Sequence, residues 1–100
     1  MVKIQTYEPN DLTIKSKQKN FKIKSGIWKN KYLWDLYKKA QTPYEWHYDA
    51  FKLARKIKIP IFSTPFSLKA LEFLDKFKPT LYKVASFEIT DLNLIRQIAK

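Results

Sequence analysis

The chain has 100 residues, a length that suits one small domain. Its composition, 45% hydrophobic and 16% aromatic, argues for a packed segment and against disorder. Cysteine is absent, which excludes disulfides and thiolate-bound metal, and no apolar run approaches the roughly 20 residues that cross a bilayer. Since no secretion signal follows Met1 either, the sequence predicts a cytoplasmic protein without a membrane partner.

The formal net charge of +11 has two explanations. One is an anionic partner, such as nucleic acid or a phosphorylated substrate. The other is a generally lysine-rich protein whose helices are solvated by lysine. The lysines are spread along the whole chain, and Arg55 and Arg96 are the only arginines, although arginine is favoured for bidentate recognition of phosphates and bases. We therefore favour the second explanation.

The first predicted element is a strand over residues 2–7. Residues 8–30 are polar and irregular, with a hairpin predicted around FKIKSGIW, and residues 31–40 have helical spacing. The next helix is predicted to begin with Thr42 as N-cap, Pro43 in the first position and Glu45 completing a capping box, and to end near Lys58. Its predicted buried stripe consists of Trp46, Ala50, Leu53, Ala54 and Ile57.

The second half of the chain alternates between strand and helix. A buried strand is predicted over residues 59–66, a helix over 67–77 with Ser67 as its cap, a third strand over 81–86, and a last helix capped by Thr90 or Asp91. Alternation of this kind is typical of an α/β fold in which a parallel sheet is connected by right-handed crossovers. The core candidates of the helix over 67–77 are Leu68, Leu71, Phe73 and Leu74.

Six polar side chains lie on or just after these predicted strands. Because residues two apart share a face of a strand, Lys3 and Gln5 lie together on the first, while Thr64 ends the second. The carboxyl ends of parallel strands are where α/β proteins build their sites. Ammonium groups, hydroxyls and an amide suit a small phosphate or carboxylate ligand, and a neighbouring carboxylate can transfer protons. The six are Lys3, Gln5, Thr64, Lys83, Ser86 and Glu88.

Each of the six also has an ordinary structural explanation. The lysines can face solvent, the hydroxyls of Thr64 and Ser86 can cap a helix or turn, and Glu88 can be a solvated loop carboxylate. The functional hypothesis depends on their coincidence at strand ends. His47, the only histidine, cannot form a zinc site without further ligands and is expected to be packed or hydrogen-bonded in its helix. No glycine-rich phosphate loop is present.

Four segments, VKIQTY, TPYEWH, FSTPF and YKVASFEITD, resemble the sialic acid synthase family. TPYEWH and SFEI are more similar to its pseudaminic acid synthase branch than to the N-acetylneuraminate branch. The resemblance covers essentially all 100 residues and implies a (β/α)8 TIM barrel, of which residues 1–100 would be an incomplete section from the second strand to the fourth helix. The implied reaction condenses phosphoenolpyruvate with an open-chain acylamino sugar, releases phosphate, and uses manganese or magnesium.

The resemblance also implies roles for individual residues. Lys3 and Gln5 match a strand that contacts phosphoenolpyruvate, as does Thr64. Lys83 and Ser86 match residues that hold its phosphate, and Glu88 matches a glutamate assigned to proton transfer or water positioning.

Other parts of such an enzyme are expected outside residues 1–100. These are the first barrel strand with its acidic residue, two metal-binding histidines, and a carboxy-terminal antifreeze-like domain that gives an arginine to the partner subunit of a homodimer. No metal ligand is expected within this chain, and the chain alone is expected to be inactive.

Three alternatives remain. The first is an N-acetylneuraminate synthase or another sugar acid synthase that uses phosphoenolpyruvate, against which TPYEWH and SFEI argue. The second is a basic nucleic-acid-binding module, which lysines and aromatics would allow, although the placement of polar groups at strand ends argues against it. The third is a non-catalytic remnant of a broken gene, which is compatible with the family resemblance.

Overall fold

A computed structural model describes all 100 residues, and the chain divides into two compact units. The first unit consists of Met1–Tyr7 with Thr42–Lys100, and the second of Glu8–Gln41. In chain order the elements are strand β1 (Val2–Thr6), helix α1 (Pro9–Leu12), a 3-10 turn (Lys19–Phe21), helices α2 (Leu33–Ala40) and α3 (Tyr44–Lys56), strand β2 (Ile61–Pro65), helix α4 (Leu68–Asp75), a second 3-10 turn (Ser86–Thr90) and helix α5 (Leu92–Ile98).

The first unit is built on a parallel pair of strands. β1 and β2 pair in the register Val2↔Ile61 to Thr6↔Pro65, so the predicted mixed α/β architecture with parallel strands is confirmed. Two strands do not test the closed eight-stranded barrel, which stays a prediction.

The predicted third strand over residues 81–86 is wrong, because this segment makes only a single parallel bridge, between Tyr82 and Ser63. The Lys83 backbone N–H donates to the Ser63 carbonyl at 3.1 Å. In a parallel ladder the next hydrogen bond would run from the N–H of residue 65 to the Lys83 carbonyl. Residue 65 is proline and has no N–H to donate, so the pairing stops there.

Helix α3 begins one residue later than predicted, at Tyr44 and not at Pro43. Pro43 has a ψ of 139°, which is not helical, and it occupies the N-cap position itself without a side-chain cap. The predicted buried stripe is also largely wrong: Trp46 is 64% exposed, and Leu53 and Ile57 are more than half exposed. Ala54 of the predicted stripe is buried, and the residues buried with it on α3 are His47 and Phe51.

The core of the first unit forms where α3 and α4 meet the strands. Phe51, Leu74 and Phe77 are buried together, and the rings of Phe51 and Phe77 stack with centroids 4.6 Å apart. Burying each of these side chains contributes about 1.5–3 kcal/mol. Packed against them are Ile4, Ile61, Phe73 and Tyr82.

Two helix caps that the sequence predicts are confirmed. The Ser67 hydroxyl accepts a hydrogen bond from the Ala70 N–H at 3.2 Å, at the start of α4. The Asp91 carboxylate accepts from the Leu94 N–H at 3.0 Å, at the start of α5, so Asp91 and not Thr90 is the cap. Such caps satisfy backbone donors that have no partner within the helix.

The second unit holds two short helices and a tight loop. A single antiparallel bridge joins Lys22 and Tyr32, which partly confirms the predicted hairpin. Gly26 supports its turn with a φ of +80°, a conformation that side chains rarely adopt. The Trp34 indole donates to the Asn10 side-chain oxygen at 2.7 Å and so ties α2 to α1. Across the chain, none of the helices is long and apolar enough to span a membrane.

Candidate functional site

The register of the two strands brings two of the six predicted site residues side by side. Gln5 pairs with Thr64, one position before the end of each strand, and Lys3 pairs with Phe62 on the same face. Neighbouring strands lie about 4.8 Å apart. The side chains of Gln5 and Thr64 therefore start from neighbouring points on one face of the sheet, where Gln5 is exposed and Thr64 is buried.

Thr64 is the most unusual member of this pair. Its side chain is 1% exposed, and its hydroxyl oxygen has no hydrogen-bond partner. A buried polar group without a partner costs about 1–3 kcal/mol, and such groups are rare in folded proteins. The unpaired hydroxyl is therefore a feature that a bound ligand can explain.

The segment after the Tyr82 bridge carries the remaining three predicted residues. The hydrogen bond from the Lys83 N–H to Ser63 holds this segment beside β2. The side chains of Lys83 and Ser86 are exposed, and Ser86 begins the second 3-10 turn. The positive charge of Lys83 acts on Glu88 and lowers the pKa of its carboxyl group, so the structure places these two side chains within electrostatic reach of each other.

Glu88 combines partial burial with an unsatisfied oxygen. Its Oε2 atom is buried and has no hydrogen-bond partner. Burial raises the pKa of Glu88 above its usual value, and the charge of Asp91 raises it further, while its own backbone N–H and Lys83 act in the opposite direction. The net shift of the pKa is upward, so the Glu88 carboxylate is a stronger proton acceptor than an ordinary glutamate.

Each of the six predicted residues is thus placed, and the structure links two pairs of them. Strand pairing joins Gln5 to Thr64, and electrostatics joins Lys83 to Glu88. Lys3 lies on the same strand face as Gln5 with its side chain exposed. Ser86 lies two residues before Glu88, in the same 3-10 turn.

The ligands for a divalent cation are not provided by this chain. No group of three or more His, Cys, Asp or Glu side chains lies close enough to hold a metal ion. The single histidine, His47, is fully buried and hydrogen-bonded within the first unit. The residues present therefore do not fit a resident manganese or magnesium ion, and no step of the chemistry is assigned to one here.

A cavity of about 510 Å³ lies elsewhere, between α4, α5 and Tyr82. None of the six predicted residues lines it. Tyr82 donates a hydrogen bond to Asp75 at its edge, and burial together with this carboxylate raises the pKa of Tyr82. An unpaired buried hydroxyl is stronger evidence for a ligand than volume alone, so we place the site at the strand ends.

Sequence reasoning missed two buried polar residues directly behind the strand ends, Thr6 and Ser63, whereas the expectation that His47 is packed or hydrogen-bonded in its helix is confirmed. Thr6, His47 and Ser63 are all fully buried and form a connected chain of hydrogen bonds. One signal was available in the sequence: Thr6 and Ser63 are polar residues on the strand face opposite to Gln5 and Thr64, where an apolar residue is expected.

Comparison with known proteins covers the whole chain. A model of the NeuB family matches residues 1–100. The chain is 50% identical over 99 residues to the pseudaminic acid synthase of Helicobacter pylori and 48% identical to that of Campylobacter jejuni. It is 28% identical to the N,N'-diacetyllegionaminic acid synthase of Campylobacter jejuni. The chain spans 29% of the length of the two pseudaminic acid synthases.

Proposed function

This chain belongs to the NeuB family, and we propose that its residues form the phosphoenolpyruvate-binding section of a pseudaminic acid synthase. The observation that carries the proposal is the buried, unpaired hydroxyl of Thr64 beside Gln5 at the strand ends. The choice of sugar acid is supported by about 50% identity to two pseudaminic acid synthases, against 28% to the legionaminic acid synthase.

In the proposed reaction the methylene carbon of phosphoenolpyruvate bonds to the aldehyde carbon of an open-chain acylamino sugar. The aldehyde oxygen takes up a proton and becomes a hydroxyl. Water adds to the carbon that bears the phosphate, and the bond between that carbon and the phosphate oxygen then breaks. Inorganic phosphate leaves, and the product is a nine-carbon sugar acid. These steps require an anion site for phosphate and carboxylate and a group that moves protons.

The six residues can supply both requirements. We assign the ammonium groups of Lys3 and Lys83 and the hydroxyl of Ser86 to the anionic groups of phosphoenolpyruvate. Gln5 and Thr64 donate to the same ligand, which gives the Thr64 hydroxyl its missing partner. Since Glu88 has a raised pKa, we assign it to accept a proton from the attacking water.

Other parts of the proposed enzyme come from residues outside these 100. We propose that residues of the complete enzyme outside these 100 would hold a divalent cation, manganese or magnesium, which would polarise the aldehyde as a Lewis acid. The complete enzyme is proposed to be a cytoplasmic homodimer whose (β/α)8 barrel includes the β1–β2 pair.

The test is a hybrid synthase, in which this chain replaces the segment of the Helicobacter pylori pseudaminic acid synthase that aligns with it. We expect the hybrid synthase to release phosphate from phosphoenolpyruvate in the presence of 2,4-diacetamido-trideoxy-altrose and manganese. The matched control places the aligned segment of the Campylobacter jejuni pseudaminic acid synthase in the same position. A folded hybrid synthase without turnover, beside an active control, would contradict the proposal.

A further inference from the structure

Three fully buried polar side chains connect α3 to the ends of both strands. The Thr6 hydroxyl oxygen lies 2.7 Å from Nε2 of His47 and 2.7 Å from the Ser63 hydroxyl. On the far side of the ring, Nδ1 of His47 lies 3.0 Å from the Pro43 carbonyl. The six site residues do not include any member of this network, so the proposed chemistry leaves it unexplained.

The partners fix the direction of each hydrogen bond. A carbonyl only accepts, so Nδ1 of His47 carries the proton and donates to Pro43. Burial lowers the pKa of His47, so the ring is neutral and its Nε2 atom accepts from the Thr6 hydroxyl. Because the Thr6 proton goes to His47, the Thr6 oxygen accepts from the Ser63 hydroxyl at 2.7 Å. The Ser63 oxygen also lies 3.2 Å from the Ile4 carbonyl oxygen, so its single proton is shared between these two acceptors.

The network lies directly behind two of the proposed binding residues. Thr6 follows Gln5 on β1, and Ser63 precedes Thr64 on β2. Alternation along a strand places Thr6 and Ser63 on the face toward α3 and their neighbours on the opposite face. A hydrogen bond between Thr6 and Ser63 therefore fixes how the Gln5 amide and the Thr64 hydroxyl are placed relative to each other.

Backbone pairing alone holds these strand ends weakly. The last register pair is Thr6↔Pro65, so the pairing of β1 with β2 stops one residue beyond Gln5 and Thr64. The next backbone bond, from the Phe66 N–H to the Thr6 carbonyl, is long at 3.3 Å. Side-chain hydrogen bonds in a buried setting are stronger than in water, so they can hold the ends where the ladder stops.

We infer that His47 is a positioning residue, which acts through Thr6 and Ser63 to hold Gln5 and Thr64 in the geometry that binds phosphoenolpyruvate. This inference rests on the proposed function of the strand ends. His47 touches neither substrate nor reacting atoms. We expect His47 to affect the affinity for phosphoenolpyruvate, because its hydrogen-bond network forms without the ligand and aligns Gln5 and Thr64, which bind the ligand.

The test uses a matched pair of substitutions in the hybrid synthase. Thr6→Val keeps the branched shape and removes the hydroxyl, whereas Thr6→Ser keeps the hydroxyl. We expect Thr6→Val to raise the KM for phosphoenolpyruvate at least fivefold with little change in the KM for the sugar, and Thr6→Ser to stay within twofold of the parent. Thr80→Val, the same change at an exposed threonine, should leave both constants unchanged.

Substitution of the ring gives a second comparison. His47→Gln retains an oxygen that can accept from Thr6 near the position of Nε2, so it should affect the KM less than His47→Leu does. If His47→Leu does not fold, the comparison of Thr6→Val with Thr6→Ser still tests the inference. Independently of activity, the ¹⁵N shifts of the His47 imidazole in the hybrid synthase, assigned by comparison with His47→Gln, should show a neutral ring protonated at Nδ1. A ring protonated at Nε2 would overturn the inference.

The two claims fail in different ways. An active hybrid synthase whose Thr6→Val variant keeps its KM for phosphoenolpyruvate would overturn the positioning role and leave the proposed function intact. A variant with lower thermal stability but unchanged KM would do the same, because it would show a purely structural role. A folded but inactive parent hybrid would overturn the proposed function and this inference with it.

Discussion

Replacing Thr64 by valine should stabilise the protein and weaken its proposed function at the same time. The Thr64 side chain is 1% exposed and its hydroxyl has no partner, so the folded state carries the full cost of removing that hydroxyl from water. This cost is about 1–3 kcal/mol. Valine has the same branched shape and suits a strand, so we expect Thr64→Val to raise the free energy of unfolding by about 1–3 kcal/mol.

Urea denaturation of the 100-residue chain, diluted until light scattering shows it to be monomeric, measures this effect. For a small protein the free energy of unfolding falls by about 1–3 kcal/mol per molar urea. A gain of about 2 kcal/mol then raises the midpoint by roughly 1 M. Wild type and variant are compared at one protein concentration, with Thr80→Val as the matched control. Thr80 is exposed, and a surface substitution of this kind changes stability by less than about 0.5 kcal/mol.

The same substitution in the hybrid synthase tests the functional half of the prediction. A hydrogen bond to a charged ligand contributes about 1.5–3 kcal/mol, so Thr64→Val should raise the KM for phosphoenolpyruvate by about 10- to 100-fold. Thr64→Ser keeps the hydroxyl and should retain most of the affinity. If Thr64→Val lowered the urea midpoint, the hydroxyl would have an internal partner and the argument for a ligand at Thr64 would fail.

Four further predictions concern the charged groups and the exposed apolar surface. In the hybrid synthase, Glu88→Gln should lower kcat by about 10²- to 10⁴-fold, the usual contribution of a proton-transferring group, with a smaller change in KM, while Glu72→Gln, at an exposed glutamate, should do neither. Glu88 must be ionised to accept a proton and its pKa is raised above 4.5, so kcat should fall as pH decreases, with the midpoint of the fall above pH 4.5. Lys83→Ala should move this midpoint to higher pH, whereas Lys52→Ala should not. An unmoved midpoint in Lys83→Ala would contradict the pairing of Lys83 with Glu88. The lowered pKa of His47 means that the unfolded chain binds the proton more tightly, so stability in urea should decrease as pH falls below about 6.5, and a His47→Gln variant with the same slope would show that another group titrates. Finally, the 100-residue chain alone should self-associate through exposed apolar residues such as Phe87, 88% exposed, and Trp46, 64% exposed, and should release no phosphate from phosphoenolpyruvate; a compact monomer with turnover would refute this.

The elements that the sequence predicted correctly are those with strong local signals. Ser67 and Asp91 were identified as caps because their side chains act on backbone groups three residues away. The resemblance to pseudaminic acid synthases was carried by short motifs and is confirmed by the identity over 99 residues. The six site residues came from strand alternation and from the same motifs, and their roles stay predictions.

The errors arise where tertiary packing decides. The spacing of Trp46, Leu53 and Ile57 on α3 is as regular as that of the face that became buried, and periodicity does not tell which apolar face meets the strands. Packing of Phe51 on Phe77 and the hydrogen bond from Thr6 to His47 select the other face. Both contacts join residues far apart in sequence.

The third predicted strand failed for a different reason. The residues over 81–86 have the composition of a strand, but pairing also depends on the neighbour, and Pro65 of β2 cannot donate the hydrogen bond that would extend the ladder beyond the Tyr82 bridge. The unpaired state of the Thr64 hydroxyl likewise depends on atoms from other elements and is visible only in three dimensions.

The central claim is that the strand ends of this chain bind phosphoenolpyruvate, and a crystal structure of the hybrid synthase with that ligand tests it most directly. We expect the Thr64 hydroxyl to donate to the ligand, with Gln5 beside it and the phosphate held by Lys83 and Ser86. An ordered phosphoenolpyruvate bound elsewhere, with the Thr64 hydroxyl still unpaired, would contradict the claim.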